Sequence, residues 1–177
     1  MTTRFRSRRP PPDGIATFVR ARRGVAALEF ALTAPILLFT ILGTIAVGLL
    51  VLEQAALDHA TSDAARLIRT GQVQSASNGA SLFQTRLCAD VAGLIPCSAL
   101  QVDVQSASSF AGINAAVSVA ANGTMQNTTF APGTPGQDVL VRAGYAAGPF
   151  FASLAPLIGS HSGMLLLSSV AFQNEMY

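Results

Sequence analysis

An uncharged run of 23 residues, from Phe30 to Leu52, constrains this chain more than any other feature of its sequence. As an α-helix the run would extend for about 34 Å, which exceeds the roughly 30 Å of hydrocarbon in a bilayer. A secretory signal core is usually shorter, at about 7–15 residues. Pro35, Gly43 and Gly48 lie inside the run, and membrane helices tolerate such residues. The sequence therefore predicts one membrane-spanning helix.

The arginines predict how this helix is oriented. The 177-residue chain contains no lysine, and only 11% of its residues are charged, against about 25% in ordinary soluble domains. Seven of its eleven arginines lie in residues 1–24, whereas the first charges after the apolar run are Glu53 and Asp58. Cytoplasmic flanks of membrane helices are enriched in Arg and Lys. We therefore expect residues 1–24 in the cytoplasm and the chain from Glu53 onward to be exported.

The charge distribution and the motifs also exclude several classes of function. A basic segment beside a membrane helix sets the orientation of that helix in the membrane. The arginines therefore need no nucleic acid to explain them, and we expect no nucleic-acid partner. Without lysine the chain has no Schiff-base or P-loop lysine. The acidic residues are scattered singly, and the sequence has no GxSxG motif. We predict a non-enzymatic protein that uses no cofactor and no metal.

A carboxylate, Glu29, stands at the entrance of the apolar run. Moving such a group into hydrocarbon costs free energy, so an acid here needs a partner or a function. In one interpretation Glu29 lies among the lipid headgroups and complements the positive end of the helix dipole. A second interpretation comes from its neighbours, because two arginines precede Gly24, four apolar residues follow from Val25, and Glu29 is followed by Phe30.

This string resembles the processing site of type IV prepilins. The resemblance implies that a membrane aspartyl peptidase cuts between Gly24 and Val25, so that Glu29 becomes the fifth residue of the mature chain. Cleavage would create an ammonium group at Val25, which Glu29 would neutralise in a low-dielectric assembly. Gly24 would offer the peptidase an extended, unhindered backbone. The predicted processing-site residues are therefore Gly24, Val25, Glu29 and Phe30.

A larger part of the sequence is similar to TadE-like proteins, which are minor pilins or pseudopilins of the tight-adherence (Flp) pilus system. The similarity comprises residues 24–32 with Ala34-Pro35 and, in part, the last residues from Phe172 to Tyr177. The family pattern there is Phe-x-Asn-Glu-Pro-Tyr, and Met176 stands in place of its Pro. The resemblance implies Flp pilus assembly or secretion at the bacterial inner membrane, with surface adhesion and biofilm formation as consequences. Its implied partners are the prepilin peptidase, other pilin or pseudopilin subunits and the lipid bilayer.

The pattern beyond the membrane predicts an α+β fold. Apolar residues recur at helical spacing from Leu52 to Thr70, so we expect the helix to continue there as a stalk, or to break near Glu53. Asp63 and Arg66, three residues apart, are expected to pair across a turn. The predicted organisation is a cleaved cytoplasmic leader at 1–24, a transmembrane helix at 25–53, a stalk helix at 54–71 and a periplasmic domain at 72–177.

Within the periplasmic domain we expect a helix on a small antiparallel sheet of three or four strands. The helix would run from a capping Ser81 to about Gly93, with an inward face of four apolar residues, Leu82, Phe83, Leu87 and Val91. The expected strands are 100–106, a weaker one at 115–121, 139–145 and 164–172. The expected loops are 72–80 and 122–137, and residues 150–158 form a short helix or apolar turn.

Cys88 and Cys97 are the two cysteines of the chain, and both fall in the exported part. In an oxidising compartment they can close a small loop, which is worth roughly 2–3 kcal/mol, so we predict a disulfide. Their spacing does not fit CxxC redox chemistry. A zinc site shared with His59 and His161 is the alternative, and it lacks the usual ligand spacing.

Two other functions fit the sequence. The first is an uncleaved single-pass membrane anchor that keeps residues 1–24 and carries a periplasmic binding module. The second is a secreted protein cut after the helix, near Ala55-Ala56, which would need a signal core about twice the usual length. The mass of the N-terminal region distinguishes these functions from prepilin-like processing.

Overall fold

The computed structural model describes residues 22–146 and 164–177. The leader before Arg22 and the turn or helix predicted at 150–158 lie outside the described residues. By contact the chain divides into two compact units, which meet in the sequence between Val47 and Gly48. The described elements are α1 (Arg22–Arg69), α2 (Gln72–Ser75), α3 (Gly79–Asp90), the 3-10 turn η1 (Cys97–Ala99), β1 (Leu100–Ala107), the 3-10 turn η2 (Phe110–Gly112), β2 (Asp138–Ala146) and β3 (Leu165–Gln173).

The first unit contains the apolar part of α1, up to Val47. Its large side chains point outward, and Phe30 and Phe39 are 71% and 68% exposed. Among the described residues α1 is the one helix long and apolar enough to cross a membrane. Such a large exposed apolar surface is unfavourable in water and favourable in lipid, so this helix indicates membrane anchoring.

The second unit is built on a three-stranded antiparallel sheet in the order β1–β2–β3. Val104 of β1 lies opposite Val141 of β2, and Val141 lies opposite Val170 of β3. Side chains alternate between the faces of a strand, so these three valines share one face. That face joins Leu57 and Ile68 of α1 in a single buried core. The predicted α+β architecture, a long helix followed by a small antiparallel sheet, is confirmed.

The weak strand predicted at 115–121 is not part of the sheet. In the described part of the chain this segment makes one isolated bridge, between Val119 and Met125. Its residues are mostly Ala, Val and Ser, and its small side chains bury too little apolar area to hold a fourth strand. Hydrogen bonds to the sheet hold the start of the segment instead, because Arg142 of β2 donates to the carbonyls of residues 114–116.

The region predicted as a loop at 72–80 is partly helical. Gly71 reverses the chain at φ +76°, a conformation that glycine adopts without strain. α2 follows and buries Val73, and α3 begins at Gly79 rather than at Ser81. A Cβ atom on Gly79 would collide with the Val73 carbonyl, so this close backbone approach requires glycine at the first residue of α3.

The core face of α3 contains three of the four predicted residues. Phe83, Leu87 and Val91 are fully buried, and their i, i+4 spacing places them on one face. Leu82 was predicted to point inward, but it is 41% exposed. A helix turns by about 100° per residue, which places Leu82 at the edge of the buried face that Phe83 and Leu87 form.

A disulfide joins Cys88 of α3 to Cys97 of η1, with a Cα–Cα distance of 5.3 Å. Cys88 packs against the core, whereas Cys97 is exposed. The bond closes the loop between the end of α3 and Leu100, where β1 begins. It therefore links the helical part of this unit covalently to the first strand of the sheet.

Candidate functional site

The four predicted processing-site residues lie in the first turns of α1. Val25 is 51% exposed, Phe30 is 71% exposed, and the Glu29 side chain is also exposed. Val25 and Glu29 are four residues apart, so they lie on one side of the helix, one turn from each other. A new ammonium group at Val25 and the Glu29 carboxylate would both be accessible to a neighbouring helix.

Gly24 is helical, which differs from the extended backbone that we expected at this residue. The residues that follow it are mostly Ala and Leu, which are strong helix formers, and they extend the helix back to Arg22. The first amide groups of a helix have no partner within it, so this end opens more easily than the middle. A Cβ atom on Gly24 would meet no atom within 4 Å, so packing does not require glycine here.

The hydroxyl groups of the apolar part of α1 are satisfied within the helix. Thr33 donates to the carbonyl of Glu29 at 2.9 Å, and Thr40 and Thr44 donate to the carbonyls three residues earlier at 2.8 Å. Polar groups in lipid need such internal partners. Glu29 is the one ionisable residue between Gly24 and Glu53 of α1.

A buried ion pair, which the sequence pattern does not predict, occupies the middle of the sheet. Asp103 of β1 lies directly opposite Arg142 of β2, with Arg142 Nε 3.4 Å from Asp103 Oδ2. Their side chains are 7% and 3% exposed. The backbone amide of Thr129 donates to Asp103 at 2.9 Å, and the Gln105 amide donates to it at 3.0 Å.

This ion pair holds the long connection between β1 and β2 against the sheet. Arg142 donates hydrogen bonds to backbone carbonyls at 114–116 of this connection, and Asp103 accepts one from the backbone amide of Thr129. The sequence contains a signal for the pair, because each alternating strand carries one charge of opposite sign at its centre. That signal becomes useful only when the strand register is known.

The expected ion pair between Asp63 and Arg66 is not formed. Asp63 instead accepts a hydrogen bond of 2.7 Å from Nε of Arg86 in α3, and Arg86 also lies 3.3 Å from Asp90. The Arg86 hydrogen bond lowers the pKa of the Asp63 carboxyl group below its ordinary value. These side chains are partly exposed, so solvent screens their attraction and the pair orients α3 more than it stabilises the fold.

The described residues contain no metal-binding cluster. No three His, Cys, Asp or Glu side chains come together within 22–146 and 164–177. Both cysteines are used by the disulfide, which removes them from the alternative zinc site. His59 is exposed on α1, and His161 lies outside the described residues.

A model of the TadE-like protein family matches residues 24–66. The match begins at Gly24, the predicted processing position, and it ends three residues before the end of α1. Residues 24–66 are therefore similar to TadE-like proteins. This resemblance associates the chain with assembly of the tight-adherence pilus. No curated protein and no solved structure matches the chain.

The last residues of the chain dock against the end of α1. The backbone amide of Glu175 donates to the carbonyl of Arg69 at 3.0 Å, and its carboxylate lies 3.0 Å from the Arg69 guanidinium. The Asn174 side chain donates to the carbonyls of Pro132 and Thr134 at 3.0 and 3.1 Å. These bonds connect β3, the connection before β2 and the end of α1.

Each position that fits the terminal Phe-x-Asn-Glu-Pro-Tyr pattern makes a structural contact. Phe172 packs against the core, and the ring of Tyr177 lies against Gly71. Met176, which departs from the pattern, is 87% exposed. An exposed position of this kind makes few contacts, which is why Met can stand where the pattern has Pro.

Gly71→Ala is expected to destabilise the sheet-containing unit by about 2 kcal/mol or more, since a left-handed conformation alone costs roughly 1–2 kcal/mol. Its Cβ would also lie 2.6 Å from the Tyr177 ring. The measurement is urea unfolding of the full chain in detergent, followed by pulse proteolysis.

Gly93→Ala is the matched control, because Gly93 has φ +90° but no atom within 4 Å of the added Cβ. The difference between the two variants measures the contact with Tyr177. Equal losses at Gly71 and Gly93 would show that Tyr177 does not dock there.

Proposed function

We propose that this chain is a membrane-anchored minor pilin or pseudopilin of the tight-adherence pilus, processed by a prepilin peptidase between Gly24 and Val25. The observation that carries the proposal is the TadE-like match, which begins at Gly24 and continues through the apolar helix. The role is structural, with no catalytic activity. Its partners are the peptidase, other pilin subunits and the lipid bilayer.

We also propose that the leader is cytoplasmic and that the sheet-containing unit is periplasmic, with the helix in the bacterial inner membrane. Seven arginines before the apolar run support this orientation. The disulfide between Cys88 and Cys97 supports it independently, because disulfides persist in oxidising compartments such as the periplasm.

In this proposal Glu29 acts after cleavage. Removal of the leader leaves a positive ammonium group at Val25, which cannot enter a hydrocarbon-like helix assembly without a counter-charge. The Glu29 carboxylate lies one helical turn away and is exposed, so it can neutralise such a group on its own chain or on a neighbour.

The proposal predicts a mature chain that begins at Val25 when the cognate prepilin peptidase is present. The measurement is the intact mass of the protein purified from membranes with and without that peptidase. Glu29→Ala is expected to be cut normally yet to be lost from pili, since it removes the counter-charge but not the cleavage position.

Gly24→Leu and Gly43→Ala separate processing from folding. Neither glycine has an atom within 4 Å of an added Cβ, so a side chain at either position meets no obstacle at its Cβ atom. Gly24→Leu is expected to retain the leader, and Gly43→Ala to be processed normally. A chain that begins at Met1 in the presence of peptidase would overturn the proposal and favour the uncleaved anchor.

A further inference from the structure

The outward side of α1 in the second unit carries two opposite charges that find no ion partner in the described residues. Asp58, Ser62 and Arg66 are exposed there, whereas Leu57 and Ala64 on the other side are fully buried. The Asp58 carboxylate accepts a hydrogen bond of 3.0 Å from the amide of Gln54, which is neutral.

Arg66 makes no direct ion pair because its expected acid is bound elsewhere. Asp63, three residues earlier, is hydrogen-bonded to Arg86 of α3 and attracts Arg66 only from a longer distance. Within 22–146 and 164–177, no other carboxylate lies within ion-pair distance of Arg66. Arg66 is exposed and lines an open groove of about 480 Å³ together with residues of α3, so a second molecule can reach it.

The positions of the two charges define a geometry. Asp58 and Arg66 are eight residues apart, which is about 12 Å along a helix and about 80° around it. The negative and positive groups therefore lie at different heights and on adjoining sides of the exposed face. Ser62 lies between them and is small, so a neighbouring helix can approach closely.

We propose that this face binds a second copy of the chain, with Asp58 of one copy paired to Arg66 of a neighbour displaced by about 12 Å along the helix. The inference rests on the proposed function, in which all copies enter one membrane in one orientation. Equivalent helices of such copies run in the same direction. Without displacement they would place like charges opposite each other, which is unfavourable.

Such a contact is heterologous, because it uses a different patch on each copy. Each pairing leaves the Arg66 of one copy and the Asp58 of the other available for further copies. A displaced contact that does not close on itself generates an open series of subunits. The charge pattern thus favours propagation along the helix direction over a closed dimer.

The test uses two full-length copies with different affinity tags, solubilised in mild detergent so that the bilayer no longer holds them at one depth. Asp58→Arg and Arg66→Asp are each expected to reduce copurification several-fold. A chain that carries both substitutions is expected to recover it. Raising the salt concentration should weaken the unaltered contact, because salt screens exposed charges.

Gln84→Arg is the control, since it adds a charge to the exposed side of α3 and should leave copurification unchanged. Oxidation of Ser62→Cys chains reports the register, because Ser62 meets Ser62 only in undisplaced or antiparallel pairs. The inference is overturned if the unaltered copies do not copurify, if the double reversal fails to recover, or if Ser62→Cys dimers form readily. The N-terminal mass tests processing separately, so either proposal can fail alone.

Discussion

Arg142→Met is expected to destabilise the sheet-containing unit by about 3–5 kcal/mol, the usual cost of leaving one partner of a buried ion pair alone. Asp103 would keep its hydrogen bonds from Thr129 and Gln105 but lose the cation that neutralises it. The carbonyls at 114–116 would lose their donor at the same time. Pulse proteolysis of the detergent-solubilised full chain across a urea series measures the loss.

The double variant Asp103→Leu with Arg142→Met provides the control. Apolar side chains often replace a buried ion pair without loss, so this variant should regain much of the stability. Recovery should be incomplete, because the connection between β1 and β2 still lacks its hydrogen bonds. A loss of less than about 1 kcal/mol for Arg142→Met alone would contradict a structural role for the pair.

Phe83→Ala is the second substitution with a large expected effect, at about 3–5 kcal/mol. Phe83 is fully buried, and its ring meets the ring of Phe130 edge-on, with centroids 5.7 Å apart. Truncation leaves a cavity between α3 and the segment beside β1, and it removes the aromatic contact. The same urea series measures the effect.

Leu82→Ala is the matched control, because it truncates the adjacent residue of the same helix. Leu82 is 41% exposed, so we expect a change within about 0.5–1 kcal/mol. Comparable losses at the two positions would mean that α3 is rotated from the orientation described above.

Sequence patterns were reliable where a property belongs to a continuous segment. The apolar run predicted the membrane-type helix, and helical spacing predicted its continuation to about residue 70; α1 ends at Arg69. Alternation predicted the three strands to within about one or two residues, as expected of element boundaries. The string around Gly24 indicated the family that matches residues 24–66.

The sequence patterns do not predict which residues from distant segments are in contact. Asp103 and Arg142 are visible as isolated charges, but only the register between β1 and β2 places them opposite each other. The spacing on α1 predicts a pair between Asp63 and Arg66, but the packing of α3 brings Arg86 to Asp63. The terminal Phe-x-Asn-Glu-Pro-Tyr pattern does not show by itself that Glu175 forms an ion pair with Arg69.

Local composition and periodicity were enough to predict the membrane-type helix and the α+β character of the sheet-containing unit, and the resemblance around Gly24 indicated the candidate processing site. Tertiary contacts are needed to know which charges are buried as a pair, which glycines are sterically required and which side of α1 is exposed. These properties depend on atoms brought together from segments far apart in the chain. Hydrophobic burial assembles those segments, and its strength depends on total area rather than on any local motif.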